Sequence, residues 1–123
     1  MSTSLLRCLL AATPLALALP GAHAQDAAAG GKAFQQCADC HSPGLNDGVG
    51  PGLKGVFGRP AGSKDGFIYS PALATSKIVW DATTLDAFLA DPKAAVPGTT
   101  MAWPGNDDPN ERADLIAYLR TLR

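Results

Sequence analysis

The chain predicts an all-α domain of about four to five short helices joined by long loops, and three observations carry that expectation. Apolar residues recur at helical spacing only in short, separated stretches. No stretch reads convincingly as a β-strand, and no repeat or linker is visible. Between Ser42 and Gly66 the pattern collapses altogether, with Gly44, Gly48, Gly50, Gly52, Gly55, Gly58, Gly62 and Gly66 interleaved with Pro43, Pro51 and Pro60. Such a segment cannot hold a regular element and must run as loop. A structureless loop this long is unusual in a compact domain unless it serves a function, and wrapping a large flat group would be one.

Taken in order, the first helix is expected over roughly Ala27 to Ala38, rich in Ala and carrying Phe34 as its large apolar residue. After the long loop a short helix is expected at Pro71 to Ser76. Another begins after Asp81, puts Leu85, Phe88 and Leu89 on one face, and ends near Asp91-Pro92. Ala94 to Asn106, containing Pro97-Gly98 and Pro104-Gly105, reads as loop again. The last helix carries the clearest start signal: Asp108 as N-cap, Pro109 at the first helical position, and Glu111 at capping-box spacing. Leu115, Ile116, Leu119 and Leu122 then form its apolar stripe, while Arg120 and Arg123 suit its C-terminal dipole.

The N-terminus reads differently. Arg7 precedes an apolar run from Leu9 to Leu19, interrupted by Pro14, and Ala22-His23-Ala24 forms an A-x-A cleavage site. Residues 1–24 are therefore expected to be a secretory signal peptide and residues 25–123 the mature domain, exported to the periplasm. The apolar run is too short and too interrupted to span a bilayer comfortably, and no later segment is long or apolar enough to do so. The mature part keeps nine basic and eleven acidic residues, a net charge of −2, which argues against a nucleic-acid partner. Its 99 residues suffice for one small domain, but one this small benefits from a staple beyond its core.

Removing the leader also thins the ligand inventory. Cys37, Cys40, His41 and Met101 are the mature chain's remaining Cys, His and Met residues. Cys37-Ala38-Asp39-Cys40-His41 has the spacing of a c-type haem attachment site, in which two thiols on one helical turn reach the two vinyl groups and the next residue lies under the ring. A redox dithiol would need a preceding strand and a βαβ context, and structural zinc usually takes four Cys or His ligands where this chain offers three. The expected cofactor is thus one haem c, covalently bound through Cys37 and Cys40, with His41 as an iron ligand. A lone methionine is ordinarily core filler. Met101, however, lies in a loop some sixty residues beyond the haem motif, enough chain to return on the far face. It is expected to be the second iron ligand, completing a His/Met pair. Filling both axial positions disfavours oxygen chemistry and points to a one-electron carrier rather than an enzyme.

At this point the chain resembles the class I cytochromes c, of the bacterial type close to the mitochondrial proteins. The likeness runs through Gly31-Lys32-x-Phe34, Gly50-Pro51-x-Leu53-x-Gly55-Val56-Phe57-Gly58-Arg59, Gly66-Phe67-x-Tyr69-Ser70, Trp80, Pro97-Gly98-Thr99-x-Met101 and Asp114-Leu115-Ile116-Ala117-Tyr118-Leu119. The resemblance implies a small cytochrome c fold wrapped around the haem. It implies that the Pro51 carbonyl orients His41, that Arg59, Tyr69 and Trp80 serve a buried propionate, and that Thr99 approaches a propionate too. It also implies that Phe34 and Tyr118 pack where the first and last helices cross, with a glycine of the Gly30-Gly31 pair allowing the approach.

The chain departs from the family at Phe88, where a Tyr is common, and at Leu73, where an Asn is common. Both changes remove polar groups from the surroundings of the expected haem. Ala94 and Ala95 follow Lys93 where the mitochondrial proteins carry a lysine cluster, so strong steering toward acidic partners is not expected. Trp103 is either part of an apolar docking patch or core. The implied partners are redox proteins: a membrane complex, a dehydrogenase, or a terminal oxidase or reductase, served by a monomer that does not insert stably into a membrane. The alternatives are a dedicated haem subunit of one dehydrogenase complex and a peroxidase-like enzyme with a displaceable Met.

Overall fold

The computed structural model describes residues 23–123. The expected signal peptide, residues 1–24, lies outside the described residues apart from His23 and Ala24. Five helices follow in chain order: α1 (Ala27–Ala33), continued by a 3₁₀ turn (Phe34–Gln36), α2 (Pro71–Ala74), α3 (Ala82–Ala90), α4 (Pro92–Ala95) and α5 (Pro109–Leu119). Among the described residues there is no strand. Pairing is limited to two isolated antiparallel bridges, His41 with Asp47 and Pro60 with Val79. No helix of the described residues is long and apolar enough to cross a membrane.

Three local expectations need correction. The first helix stops at Ala33 rather than running on to Ala38, because the chain tightens into the 3₁₀ turn that aims Cys37. The segment after α3 is not all loop: α4 occupies Pro92–Ala95. Asp91 both ends α3 and caps α4, its carboxylate accepting from Lys93 N at 3.1 Å and Ala94 N at 3.0 Å, with Pro92 pre-set at the first helical position. Finally, Glu111 does not close a capping box on Asp108. Asn106 intervenes, accepting from Asp108 N at 2.8 Å and donating to the Glu111 carboxylate at 2.6 Å. The reciprocal box forms instead at α3, where Asp81 and Thr84 exchange side-chain-to-backbone bonds of 2.9 Å each.

The framework is the crossing of α1 and α5. Gly30 is buried there, and a Cβ at that position would run into the Asp114 carbonyl and come within 2.9 Å of Tyr118 Cβ. Only glycine permits this approach. Phe34 and Tyr118 stack beside it with ring centroids 5.2 Å apart and planes inclined by 48°. Asp114 is buried in the same crossing and accepts from Asp26 N at 2.8 Å, with His23 Nε2 2.9 Å away. Those bonds hold its carboxyl below the usual aspartate range, the Asp26 amide contributing most.

Leu115, Ile116 and Leu119 of α5 join Leu85, Phe88 and Leu89 of α3, together with Phe34, Val56, Trp80 and Val96, in one core. Full burial of each large side chain is worth roughly 1.5–3 kcal/mol. The C-terminal end of α5 is tied back to the long loop. Gly55 N donates to Leu122 O at 2.6 Å, and the Arg120 guanidinium sits 4.4 Å from the Phe57 ring centre. With α5 and α3 on one side and the loops on the other, the core is left open along a cleft.

Candidate functional site

Through the middle of this small domain runs a cleft of about 510 Å³, lined mainly by apolar side chains. Protein interiors hold few voids larger than a water molecule, so a gap of this size is not an ordinary packing defect. Its volume falls within the roughly 300–1,000 Å³ of small-molecule and cofactor sites. Fully enclosed and empty, it would forfeit on the order of 12 kcal/mol at about 24 cal/mol per Å³. That rivals the whole net stability of a typical domain, roughly 5–15 kcal/mol. A slot of this size and character suits a bound group.

Cys37, Cys40 and His41 are among the residues that line this cleft. The turn carrying them is set by Cys37 N donating to Phe34 O at 2.8 Å and by His41 N donating to Cys37 O at 2.9 Å. Both thiols are free. Burial, aided by neighbouring Cys40, pushes the Cys37 thiol up to about 11. A redox dithiol needs the opposite, a nucleophile lowered to roughly 3.5–7.5. Among the described residues no cluster of three His, Cys, Asp or Glu side chains could hold a metal ion, which speaks equally against structural zinc.

The His41 ring has little freedom. Its Nδ1 lies 2.8 Å from the Pro51 carbonyl oxygen. A carbonyl only accepts, so Nδ1 carries a proton, and in the neutral ring Nε2 is then the nitrogen with the lone pair. On the other side Gly50 presses against the imidazole; a Cβ there would come within 2.7 Å of Nδ1 and 2.8 Å of Nε2. In the sequence Gly50 stands out only through the family likeness at Gly50-Pro51, which does not show its contact with His41.

Met101, sixty residues further along, lines the same cleft, next to Thr100, Ala102 and Trp103. Its segment is fixed by Thr99 N donating to Val96 O at 3.0 Å and by Asn106 N donating to Leu89 O at 2.9 Å. Arg59, Tyr69 and Trp80 also line the cleft. Arg59 Nη1 donates to Lys54 O at 3.1 Å, Tyr69 meets Phe67 edge-on at 4.9 Å, and buried Trp80 packs 4.9 Å from Phe88. Thr99 is buried, and its hydroxyl accepts from Met101 N at 3.3 Å. Phe88 and Leu73 contribute hydrocarbon to the wall.

The residues present fit a covalently attached haem: two free thiols, an imidazole whose Nδ1 is engaged by a carbonyl, and a thioether, all lining one apolar slot. The family model for cytochrome c matches residues 27–123. The chain is 45% identical over 108 residues to cytochrome c2 of Blastochloris viridis, covering 86% of this chain and 85% of that one. It is 47% identical over 100 residues to cytochrome c2 of Rhodomicrobium vannielii, covering 80% of each. Among solved structures, cytochrome cH from Methylobacterium extorquens superposes with a TM-score of 0.76 at 52% identity, covering 78% of this chain and 98% of that one.

Proposed function

The chain belongs to the cytochrome c family, and from that premise we propose that it is a periplasmic one-electron carrier in which His41 and Met101 hold the haem iron from opposite faces. The family's haem c is attached through cysteines, and Cys37 and Cys40 are the residues that would form the two thioethers here. When bound, the haem supplies a one-electron couple. The observation that carries the reading is that Met101 lines the same cleft as the Cys37–His41 turn, although sixty residues separate them.

The chain's own groups account for the rest. Pro51 holds the His41 proton on Nδ1, which orients the ring and strengthens Nε2 as a donor. Met101 offers a soft, neutral sulfur, which favours the reduced state and raises the potential. The apolar walls from α3 and α5 exclude water from the slot. Arg59, Tyr69 and Trp80 are the polar tips available to propionates, and Thr99 acts from behind by fixing the Met101 amide. Trp103, at the edge of the cleft and half-buried, belongs to the apolar rim where a redox partner would dock. Such encounters need only a small, transient interface.

No second histidine lines the cleft: His23, the other described histidine, lies against Asp114. That weakens a peroxidase-like reading. Residues 1–24 act in this proposal as the cleaved export signal, which the mass of the exported protein would check. The central test is a pair of reduced and oxidised absorbance spectra for the exported protein and for Met101→Ala. A low-spin c-type spectrum is expected for the parent and its loss for the variant. A high-spin parent would sink the carrier reading, and an unchanged variant would remove Met101 as ligand.

A further inference from the structure

We propose that Asp47 and Lys64 are positioning residues for the cleft, a polar brace that sets where the Pro51 carbonyl meets His41. The inference deepens the proposed function and rests on His41 being the haem-side imidazole. Nothing in the spacing of Asp47 marks it out, since it sits in the Gly-rich loop as an ordinary turn residue.

The argument begins with the amides around Pro51. Gly50 N donates to Cys40 O at 2.8 Å, Leu53 N to Ser42 O at 2.9 Å and Lys54 N to Gly44 O at 3.0 Å. Proline has no N–H to give. The Gly52 amide takes a side-chain acceptor instead, Asp47 Oδ1 at 2.7 Å. Gly52 is buried, and a Cβ there would come within 2.7 Å of the Leu45 carbonyl, so the residue cannot slide toward another partner. The peptide that joins Pro51 to Gly52 carries both groups: its oxygen receives His41 Nδ1–H at 2.8 Å and its nitrogen donates to Asp47. One rigid plane is thus held between the imidazole and the carboxylate. The backbone pairing of His41 with Asp47 closes the same ring.

Lys64 supplies the second half. Its Nζ lies 2.8 Å from Asp47 Oδ1 and 3.0 Å from Oδ2. Only 14% of its side chain is exposed, whereas Lys32, Lys54, Lys77 and Lys93 are all exposed. A lysine held so far out of water, with its ammonium on a carboxylate, is placed rather than free. It comes from the turn after Pro60, so the pair ties the loop bearing Pro51 to the loop that supplies Arg59 to the cleft.

The test uses the haem-loaded protein and three variants: Asp47→Ala, Asp47→Asn and Lys64→Met. Two quantities are read, hydrogen exchange of the Gly52 amide and the reduction potential, with the Ile116 amide in α5 as control. Asp47→Ala removes the acceptor of a buried amide, and Gly52 exchange should quicken by roughly tenfold or more while Ile116 is spared. The potential should rise, because a slackened Nδ1–H···O bond makes His41 a poorer donor to the oxidised state. Asp47→Asn keeps an oxygen for Gly52 and should rescue its slow exchange. Lys64→Met should give a smaller rise in both quantities. If Gly52 and Ile116 quicken equally and the potential stays fixed, or if Asp47→Ala changes neither, the brace is not a positioning device. A parent protein without a low-spin spectrum would instead overturn the ligand reading, a result visible before any variant is made.

Discussion

On one wall of the cleft His41 is held from two sides, by the Pro51 carbonyl at 2.8 Å and by Gly50 packed against its ring. Elsewhere in the lining, the Met101 amide donates to the Thr99 hydroxyl at 3.3 Å, and its flexible side chain meets the slot from a loop. The first wall is local: Pro51 and Gly50, the residues that meet the His41 ring, lie within about a dozen residues of it in sequence. The second is assembled from afar, its loop anchored to Val96 at one end and to Leu89 through Asn106 at the other. The difference teaches that, of the two proposed ligands, one is set by its own turn, whereas the other depends on the packing of α3 and α5. The Met101 side should therefore be the side that gives way first.

The largest effect should come from removing what both walls enclose. Cys37→Ala/Cys40→Ala, which cannot attach a haem covalently, should lose most of a domain's net stability, on the order of 5–15 kcal/mol. Thermal melting by far-ultraviolet circular dichroism would show a broad, non-cooperative loss of helix. A sharp transition near the parent's would mean that the cleft closes on its own.

Next comes the preformed wall. Gly50→Ala places a methyl group against the His41 ring and should cost roughly 1–3 kcal/mol by overpacking. Denaturant titration would measure that cost, and the ligation spectrum should change with it. Met101→Leu preserves volume and should cost less than about 1.5 kcal/mol while removing the proposed sulfur ligand. Equal stability losses for the two variants would erase the contrast between the walls.

Thr99→Val tests the anchor of the looser wall more gently. Loss of the hydroxyl that accepts from Met101 N should cost about 0.5–1.5 kcal/mol, and ligand exchange at Met101 should become easier. Rates of displacement by an added imidazole would report it.

The smallest effect concerns the helix crossing behind both walls. The Asp114 carboxyl is held below its usual range chiefly by the Asp26 amide, so its folded-state pKa lies under the unfolded value of about 3.9. Its stabilisation is therefore present above that pH and fades as pH falls through the folded value. Acid melting should flatten in Asp114→Asn between about pH 4 and pH 2, compared with the parent. An identical pH profile in the two proteins would show that another group carries the acid sensitivity.

Much of the fold was legible in the residues because its signals are local. Asp108-Pro109 announces α5, and the same Asp-Pro pairing at Asp91-Pro92 announces α4, although it reads at first only as the end of α3. The capping box was expected at the wrong helix because Asn106, outside the motif, competes for both of its groups. In the cleft, Cys37, Cys40, His41 and Met101 stand out by chemistry and scarcity, whereas Asp47, Lys64 and Gly50 do not. Aspartates, lysines and glycines are common in loops, and only their neighbours across space give them a task.

By itself, then, the sequence determined the all-α class, the haem-binding pentapeptide and the short inventory of possible iron ligands, since each depends on residue type and near spacing. Tertiary structure decided that Met101 shares a cleft with His41, that the Thr99 hydroxyl takes the Met101 amide, and that a carboxylate and a covered lysine bear on the Pro51 peptide. Those facts depend on loops whose path is set by distant packing, by Gly30 against Asp114 and by Gly52 under Leu45. Such close approaches leave no mark on the chain except a missing side chain.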